Sequence, residues 1–183
     1  MVWIHGGSYT AGGIGPLVGV FNGSSNVALA DDLIIVTVQY RLGILGFAWS
    51  SGLTGRNADG STGNYGIQDQ RAAMAWVSTP TEGFGGNASN VMIVGESAGA
   101  GSESMHLTMP ESFGYSSKVG LESGAWSCWT AQPMSEAEQQ LVSRPAGSNQ
   151  VQLCRLLGGS KQQGCCRACI SQRTFGRNPP SNR

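Results

Sequence analysis

Ser97 is the residue whose neighbours best suit it to act as a nucleophile. It stands in Gly95-Glu96-Ser97-Ala98-Gly99, directly after the apolar run Val91-Met92-Ile93-Val94 and before further small residues. Four apolar residues make a short strand, and the small residues open a helix. A strand that turns sharply into a helix lifts a serine to the tip of the turn, the layout of a nucleophile elbow. The backbone of such a turn is strained and its flanking positions must be very small, a need that Gly95, Ala98, Gly99 and Ala100 meet. The bland alternative is an ordinary turn with an incidental serine. The correct strand before it and helix after it favour chemistry.

A serine that attacks an acyl carbon needs backbone N–H groups aimed at the oxyanion that develops. One comes from the residue after the nucleophile, here Ala98, and the rest from an earlier glycine loop. The chain opens with Met1-Val2-Trp3-Ile4-His5-Gly6-Gly7-Ser8, an apolar strand running into such a loop. Gly6 and Gly7 have no side chain to block the approach. His5 reads as a packing residue of the loop. In this layout the order along the chain is serine, then acid, then histidine, and His5 precedes the serine.

Five stretches together resemble the type B carboxylesterases, the α/β-hydrolase family that includes the cholinesterases. They are Met1–Gly13, Val38–Phe47, Gly63–Val77, Phe84–Leu107 and Leu121–Gly124. The resemblance covers roughly Met1 to Ala131 and ends by about Gln140. It implies a partial α/β-hydrolase fold, a mostly parallel sheet with flanking helices, and hydrolysis of a carboxylic ester through an acyl-serine at Ser97. It implies that Ser123, in Glu122-Ser123-Gly124, supports the triad acid, and that Glu96 shapes the electrostatics beside the nucleophile. Trp126 and Trp129 fall where the family builds its acyl pocket, in a register that departs from the cholinesterases. Asp69 and Arg71 fall in a structural polar cluster. No cofactor or metal is implied.

The elements that would position these residues alternate as a layered α/β fold requires. Val2 to Ile4 read as a buried strand, and Gly6 to Gly15 as a loop. Gly12-Gly13-Ile14-Gly15 is a poor phosphate cradle, because no helix-opening pattern follows it. Leu33 to Tyr40 are continuous and β-branched and read as a strand buried on both faces. Ser50 to Asn64 read as a polar surface loop and Gln68 to Val77 as a helix. Gly83 to Asn90 turn into the elbow strand. The helix after Ser97 is expected to run to about Met109, before Pro110. Lys118 to Leu121 read as a strand, and Pro133 to Val142 as a helix opened by the capping box Ser135-x-x-Glu138.

The downstream triad members are where this sequence departs from the family. The triad acid and histidine are expected beyond its length. His106 is the one histidine after Ser97. It lies nine residues along the same helix, roughly 13 Å at 1.5 Å per residue, and does not reach the turn. Loss of the histidine of a serine triad costs on the order of 10⁶ in kcat. The chain alone is therefore expected to be near-inactive. Met1 falls inside an expected central strand, which reads as truncation, so a lost leader remains open.

Composition excludes other classes. Among 183 residues the formal net charge is zero, which gives no footprint for nucleic acid or an anionic membrane. No apolar run reaches the ~18 residues of a transmembrane helix. Residues 1–144 read as the hydrolase part. Residues 145–183 carry Arg155, Lys161, Arg167, Arg173, Arg177 and Arg183 with no acidic residue, and Cys154, Cys165, Cys166 and Cys169. That segment reads as a basic, irregular, poorly ordered tail. Its cysteines lack the paired spacing of a zinc site, and a disulfide cannot be assigned from sequence. Cys128 reads as a small buried thiol. The sequons at Asn22 and Asn87 and the resemblance lean toward secretion. Three other readings stand beside the esterase: a catalytically dead adhesion or binding relative, a truncated gene product, and another Gly-x-Ser-x-Gly hydrolase such as a lipase or peptidase.

Overall fold

The computed structural model describes residues 1–14, 23–30, 32–79, 81–124 and 133–142. The described elements, in chain order, are β1 (Val2–Ile4), α1 (Ser24–Leu29), β2 (Val36–Val38), α2 (Gly43–Phe47), α3 (Ser51–Thr54), α4 (Tyr65–Val77), β3 (Met92–Glu96), α5 (Ala98–His106), β4 (Lys118–Glu122) and α6 (Met134–Val142).

The strands form one sheet in the order β2-β1-β3-β4, and every pairing is parallel. Val2 pairs with Val36 on one side and Ile93 on the other; Ile4 pairs with Val38 and Gly95. Paired residues share a face. Val2, Val38 and Ile93 therefore meet Met74 and Val77 of α4 in one apolar cluster. Ile4 meets Tyr9, Tyr40, Ile67 and Ala98 in a second. Ile4, Ile93 and Met74 are almost completely enclosed. Each contributes about 2 kcal/mol by leaving water. These clusters fix α4 and α5 against one face of the sheet, so the turn between β3 and α5 is rigidly carried.

Several expectations change. The strand read over Leu33 to Tyr40 is only β2, Val36–Val38, half-buried except at Val38. It is the outer strand among the described residues, and its partial exposure shows that it is not enclosed on both faces. The polar stretch after Ser50 contains α3, whose first turn is capped by Ser50 Oγ accepting from Leu53 N–H at 3.3 Å. Helix α4 begins three residues before Gln68. Helix α5 ends at His106, not Met109, and a short 3-10 turn, Pro110–Ser112, follows.

The Ser135–Glu138 capping box does not form. Helix α6 starts at Met134, which places Ser135 inside it. Glu138 instead accepts from the Ser51 N–H at 2.8 Å and the Ser51 hydroxyl at 2.6 Å. Asp69 and Arg71 sit in two separate ion pairs. Asp69 accepts two hydrogen bonds from the Arg41 guanidinium, both 2.7 Å, and one from its backbone N–H, while Arg71 lies 3.9 Å from Glu111. Asn22, Trp126, Trp129, the residue 145–183 segment and all five cysteines lie outside the described residues. No helix among the described residues is long and apolar enough to cross a membrane.

Candidate active site

Ser97 sits between β3 and α5 with φ 54° and ψ −115°. Few side-chain-bearing residues adopt that conformation, and the surrounding structure has to hold it. Two groups do so. The Ser97 N–H donates to the Glu122 carbonyl at 2.8 Å, and the Ser97 carbonyl accepts from the Gly101 N–H at 2.9 Å. Close packing completes the turn. A Cβ on Gly99 would overlap the Ile4 carbonyl oxygen, so the first turn of α5 lies directly on the end of β1. The Ser97 side chain is half-buried, and Ala98 behind it is fully enclosed.

The glycine loop meets the elbow at Gly6. A Cβ there would lie 2.7 Å from both the carbonyl oxygen and the Oε2 of Glu96, and 3.1 Å from the Ser97 Cβ. The loop then turns through Gly7, Ser8 and Tyr9, which have consecutive positive φ angles of 113°, 54° and 60°. The Gly7 carbonyl is occupied inside the loop, accepting from the N–H groups of Thr10 and Ala11 at 3.1 and 3.0 Å. Helix α5 begins at Ala98, and a first-turn N–H has no partner within its helix. The positive end of the helix dipole falls at the same place.

The structure therefore brings Gly6, Glu96, Ser97 and Ala98 into one locus, with Gly7 the next residue of the loop. Glu96 ends β3, in register with Glu122 of β4. Ser123 follows, exposed and with φ 56°, immediately after the carbonyl that holds Ser97.

Both histidines of the chain are engaged elsewhere. His5 is fully buried and stacks on Tyr40, ring centroids 4.4 Å apart. Its Nδ1–H donates to the Gly6 carbonyl at 2.8 Å, and the Tyr40 hydroxyl donates to the His5 carbonyl at 2.7 Å. Burial holds its pKa below the usual histidine value. It is a packing residue, as its place before the serine suggests.

His106, at the far end of α5, is 3 % exposed and bonds to Ser112 at 2.9 Å and to Gln70 at 3.1 Å. Burial, with Arg71 nearby, lowers its pKa to about 4, so it is neutral at physiological pH. A cavity of about 240 Å³ opens beside it, lined by Met74, Ile93, Leu107, Phe113 and others. A serine next to a histidine has the form of a nucleophile and its base. Here the nearby backbone donors are spent, because the N–H groups of Ser112 and Phe113 bond to the carbonyls of Met109 and Pro110. The pair is a structural link.

Sequence reasoning missed Glu103. It is fully buried, neither carboxyl oxygen has a hydrogen-bond partner, and Oε1 lies 2.8 Å from where a Gly95 Cβ would stand. Burial first, then the charge of Glu122, raise its pKa to about 8. The sequence did carry a signal: Glu103 is four residues after Gly99, on the same face of the helix.

Comparison with known proteins decides what this arrangement belongs to. The sequence profile of the carboxylesterase family matches residues 1–169. The chain belongs to the carboxylesterase family. The match runs on past Gln140, where the recognisable motifs end. Cocaine esterase of Oryctolagus cuniculus is 46 % identical over 114 residues, 62 % of this chain and 19 % of that protein. Acylcarnitine hydrolase of Mus musculus is 44 % identical over 124 residues, covering 68 % and 20 %. Para-nitrobenzyl esterase of Bacillus subtilis (strain 168) is 38 % identical over 157 residues, covering 85 % and 30 %. The chain thus spans about a fifth of the length of the first two carboxylesterases. Its parallel sheet and flanking helices form part of an α/β-hydrolase fold.

Proposed function

We propose that this chain carries the nucleophile and the oxyanion donors of a serine hydrolase acting on small carboxylic esters. The observation that carries this reading is the contact between the Gly6 loop and a strained, half-buried Ser97 at the start of α5. Ser97 Oγ attacks the ester carbonyl carbon and loses its proton to a base. The carbonyl oxygen takes the negative charge, held by the N–H groups of Gly6, Gly7 and Ala98. The C–O bond to the alcohol breaks, the alcohol leaves with the proton, and an acyl-serine remains. Water then attacks the acyl carbon by the same route and frees the acid and Ser97. Glu96 tunes the field beside the nucleophile, and Ser123 steadies the triad acid.

Because His5 and His106 are both engaged elsewhere, the base for Ser97 is supplied from outside this chain. The chain alone is then near-inactive. The oxyanion donors by themselves leave roughly 10³–10⁴ over water. Turnover of an aryl ester by the pure chain, abolished by Ser97→Ala, would overturn that point.

The protein works in an extracellular setting, supported by the exposed sequon Asn87-Ala88-Ser89, where the Ser89 N–H donates to Asn87 Oδ1 at 2.8 Å. The mechanism calls on no cofactor or metal. A fluorophosphonate serine probe applied to native material tests the whole reading. A labelled peptide containing Gly95-Glu96-Ser97-Ala98-Gly99 supports it. The same peptide unlabelled in folded, native-length protein leaves a binding or relic protein in its place.

A further inference from the structure

Ser102, Gln70 and His106 have no part in the ester chemistry above, yet all three are enclosed, with exposures of 0 %, 0 % and 3 %. They form a run of hydrogen bonds with one direction. The Ser112 hydroxyl donates to His106 Nδ1 at 2.9 Å, and His106 Nε2–H donates to Gln70 Oε1 at 3.1 Å. Gln70 Nε2–H donates to Ser102 Oγ at 3.1 Å, and the Ser102 hydroxyl donates to the Ala98 carbonyl at 2.9 Å. A carboxamide oxygen only accepts, so the His106 proton must sit on Nε2 and the direction of each link follows.

Ser102 Oγ also lies 3.4 Å from the Tyr9 hydroxyl. Tyr9 belongs to the loop of Gly6 and Gly7. Its ring packs on Phe47 at 4.9 Å, its carbonyl accepts from the Gly43 N–H at 2.6 Å, and Gly101 leaves room for its hydroxyl. One buried hydroxyl thus touches both segments that carry the oxyanion donors: the glycine loop through Tyr9, and the elbow through Ala98.

We propose that Ser102 is a positioning residue, held by Gln70, that sets the separation of the glycine loop from the elbow through the Tyr9 hydroxyl and the Ala98 carbonyl. The proposal rests on the ester-hydrolase reading of Ser97. Donors of this kind act only when they match the position of the oxyanion itself. A shift well under an ångström is felt in the transition state and hardly in substrate binding.

The test uses the native-length protein containing this chain, with Tyr9→Phe, Ser102→Ala and Ser97→Ala. Three quantities are read: the Tm, the separate kcat and KM for a p-nitrophenyl ester, and the affinity of an aryl trifluoromethyl ketone, whose Ser97 adduct places an oxyanion in the hole. Expected for Tyr9→Phe and Ser102→Ala is a fall of roughly tenfold in kcat, an equal weakening of the ketone and a KM within about twofold of the parent. A purely structural role lowers the Tm and the amount of active protein but leaves these constants unchanged. Unchanged constants, or a rise in KM alone, overturn the positioning role while Ser97-dependent turnover leaves the hydrolase reading intact. Turnover that survives Ser97→Ala overturns both. If Ser102→Ala does not fold, Tyr9→Phe decides, since it removes one oxygen and keeps the Gln70 and Ala98 contacts of Ser102.

Discussion

Gly99 and Ile4 are in backbone contact: the Ile4 carbonyl oxygen occupies the space that a side chain on Gly99 would need. The partner atom is main chain in a central strand and cannot swing aside. Gly99→Ala is expected to cost about 3 kcal/mol or more. Gly55→Ala, where nothing lies within 4 Å, is expected to stay within about 0.5 kcal/mol of the parent. Urea midpoints of the two variants check this. Equal midpoints would show that the strand yields.

The positive φ of Ser97 predicts a trade of reactivity for stability. A non-glycine residue there stores about 1–3 kcal/mol, and glycine is free of that strain at a smaller cost in chain entropy. Ser97→Gly is expected to unfold at higher temperature than the parent, by about 1 kcal/mol of added stability, and to lose all labelling by a fluorophosphonate. A lower Tm would mean that the turn is relaxed.

Glu103 makes stability fall as pH rises. Its carboxyl has a folded pKa of about 8 against an ordinary 4.5. Between these values the unfolded chain releases a proton that the folded chain keeps, so each step up in pH favours unfolding. His106 works in the opposite sense. Its folded pKa of about 4 lies below the ordinary 6.5, so stability falls as pH drops through that interval. The two trends oppose each other up to pH 6.5; from 6.5 to about 8 the Glu103 trend is opposed instead by the Met1 amino group, whose pKa burial holds below its ordinary 8.0. The stability of the parent relative to Glu103→Gln, read from urea midpoints, is expected to decline across that window, since the Met1 amino group is common to both. A difference that stays constant across the window would mean that Glu103 ionises freely.

Asp69 ties α4 to the segment after β2. Burial pulls its pKa upward, but the hydrogen bonds from Arg41 outweigh that and hold it below the ordinary value. Its contribution is present at neutral pH and lost as pH falls through the carboxylate range. Half of the Arg41 side chain is exposed, so Asp69→Asn is expected to cost only about 1 kcal/mol at pH 7. The difference from the parent should shrink as pH falls below the ordinary carboxylate value and vanish once Asp69 is protonated in the folded protein. A difference that persists there would assign the effect to packing.

What was legible in the sequence follows physical lines. β1, β3, the elbow and β4 could be read because runs such as Val91–Val94 are apolar and end in glycine, and because Gly-x-Ser-x-Gly states its own backbone needs. Helix α1 could not. Only half of its six residues are apolar, and of these Leu29 is 87 % exposed, so no apolar stripe marks it. Helix α2 begins and nearly ends in glycine and is held by tertiary contacts, among them the Gly43 N–H on the Tyr9 carbonyl. At the proposed site, Ser97, Gly6 and Ala98 are singled out by local pattern, and the structure brings the three together. The chain of hydrogen bonds from Ser112 to Ala98 is not, because its partners are up to 36 residues apart and meet only through packing.

The order β2-β1-β3-β4 has a consequence for how the site comes into being. Gly6 and Ser97 follow β1 and β3, neighbours in space that are separated, among the described residues, by β2 and four α-helices. Closing so long a loop is slow, and no local fragment brings Gly6 to Ser97. Gly6 and Ser97 therefore meet in a single late event, when β1 docks on β3 and the contact of Gly99 with the Ile4 carbonyl shuts. Until then Ser97 lies on an unpaired segment, and the strained turn that holds it exists only once the sheet has closed.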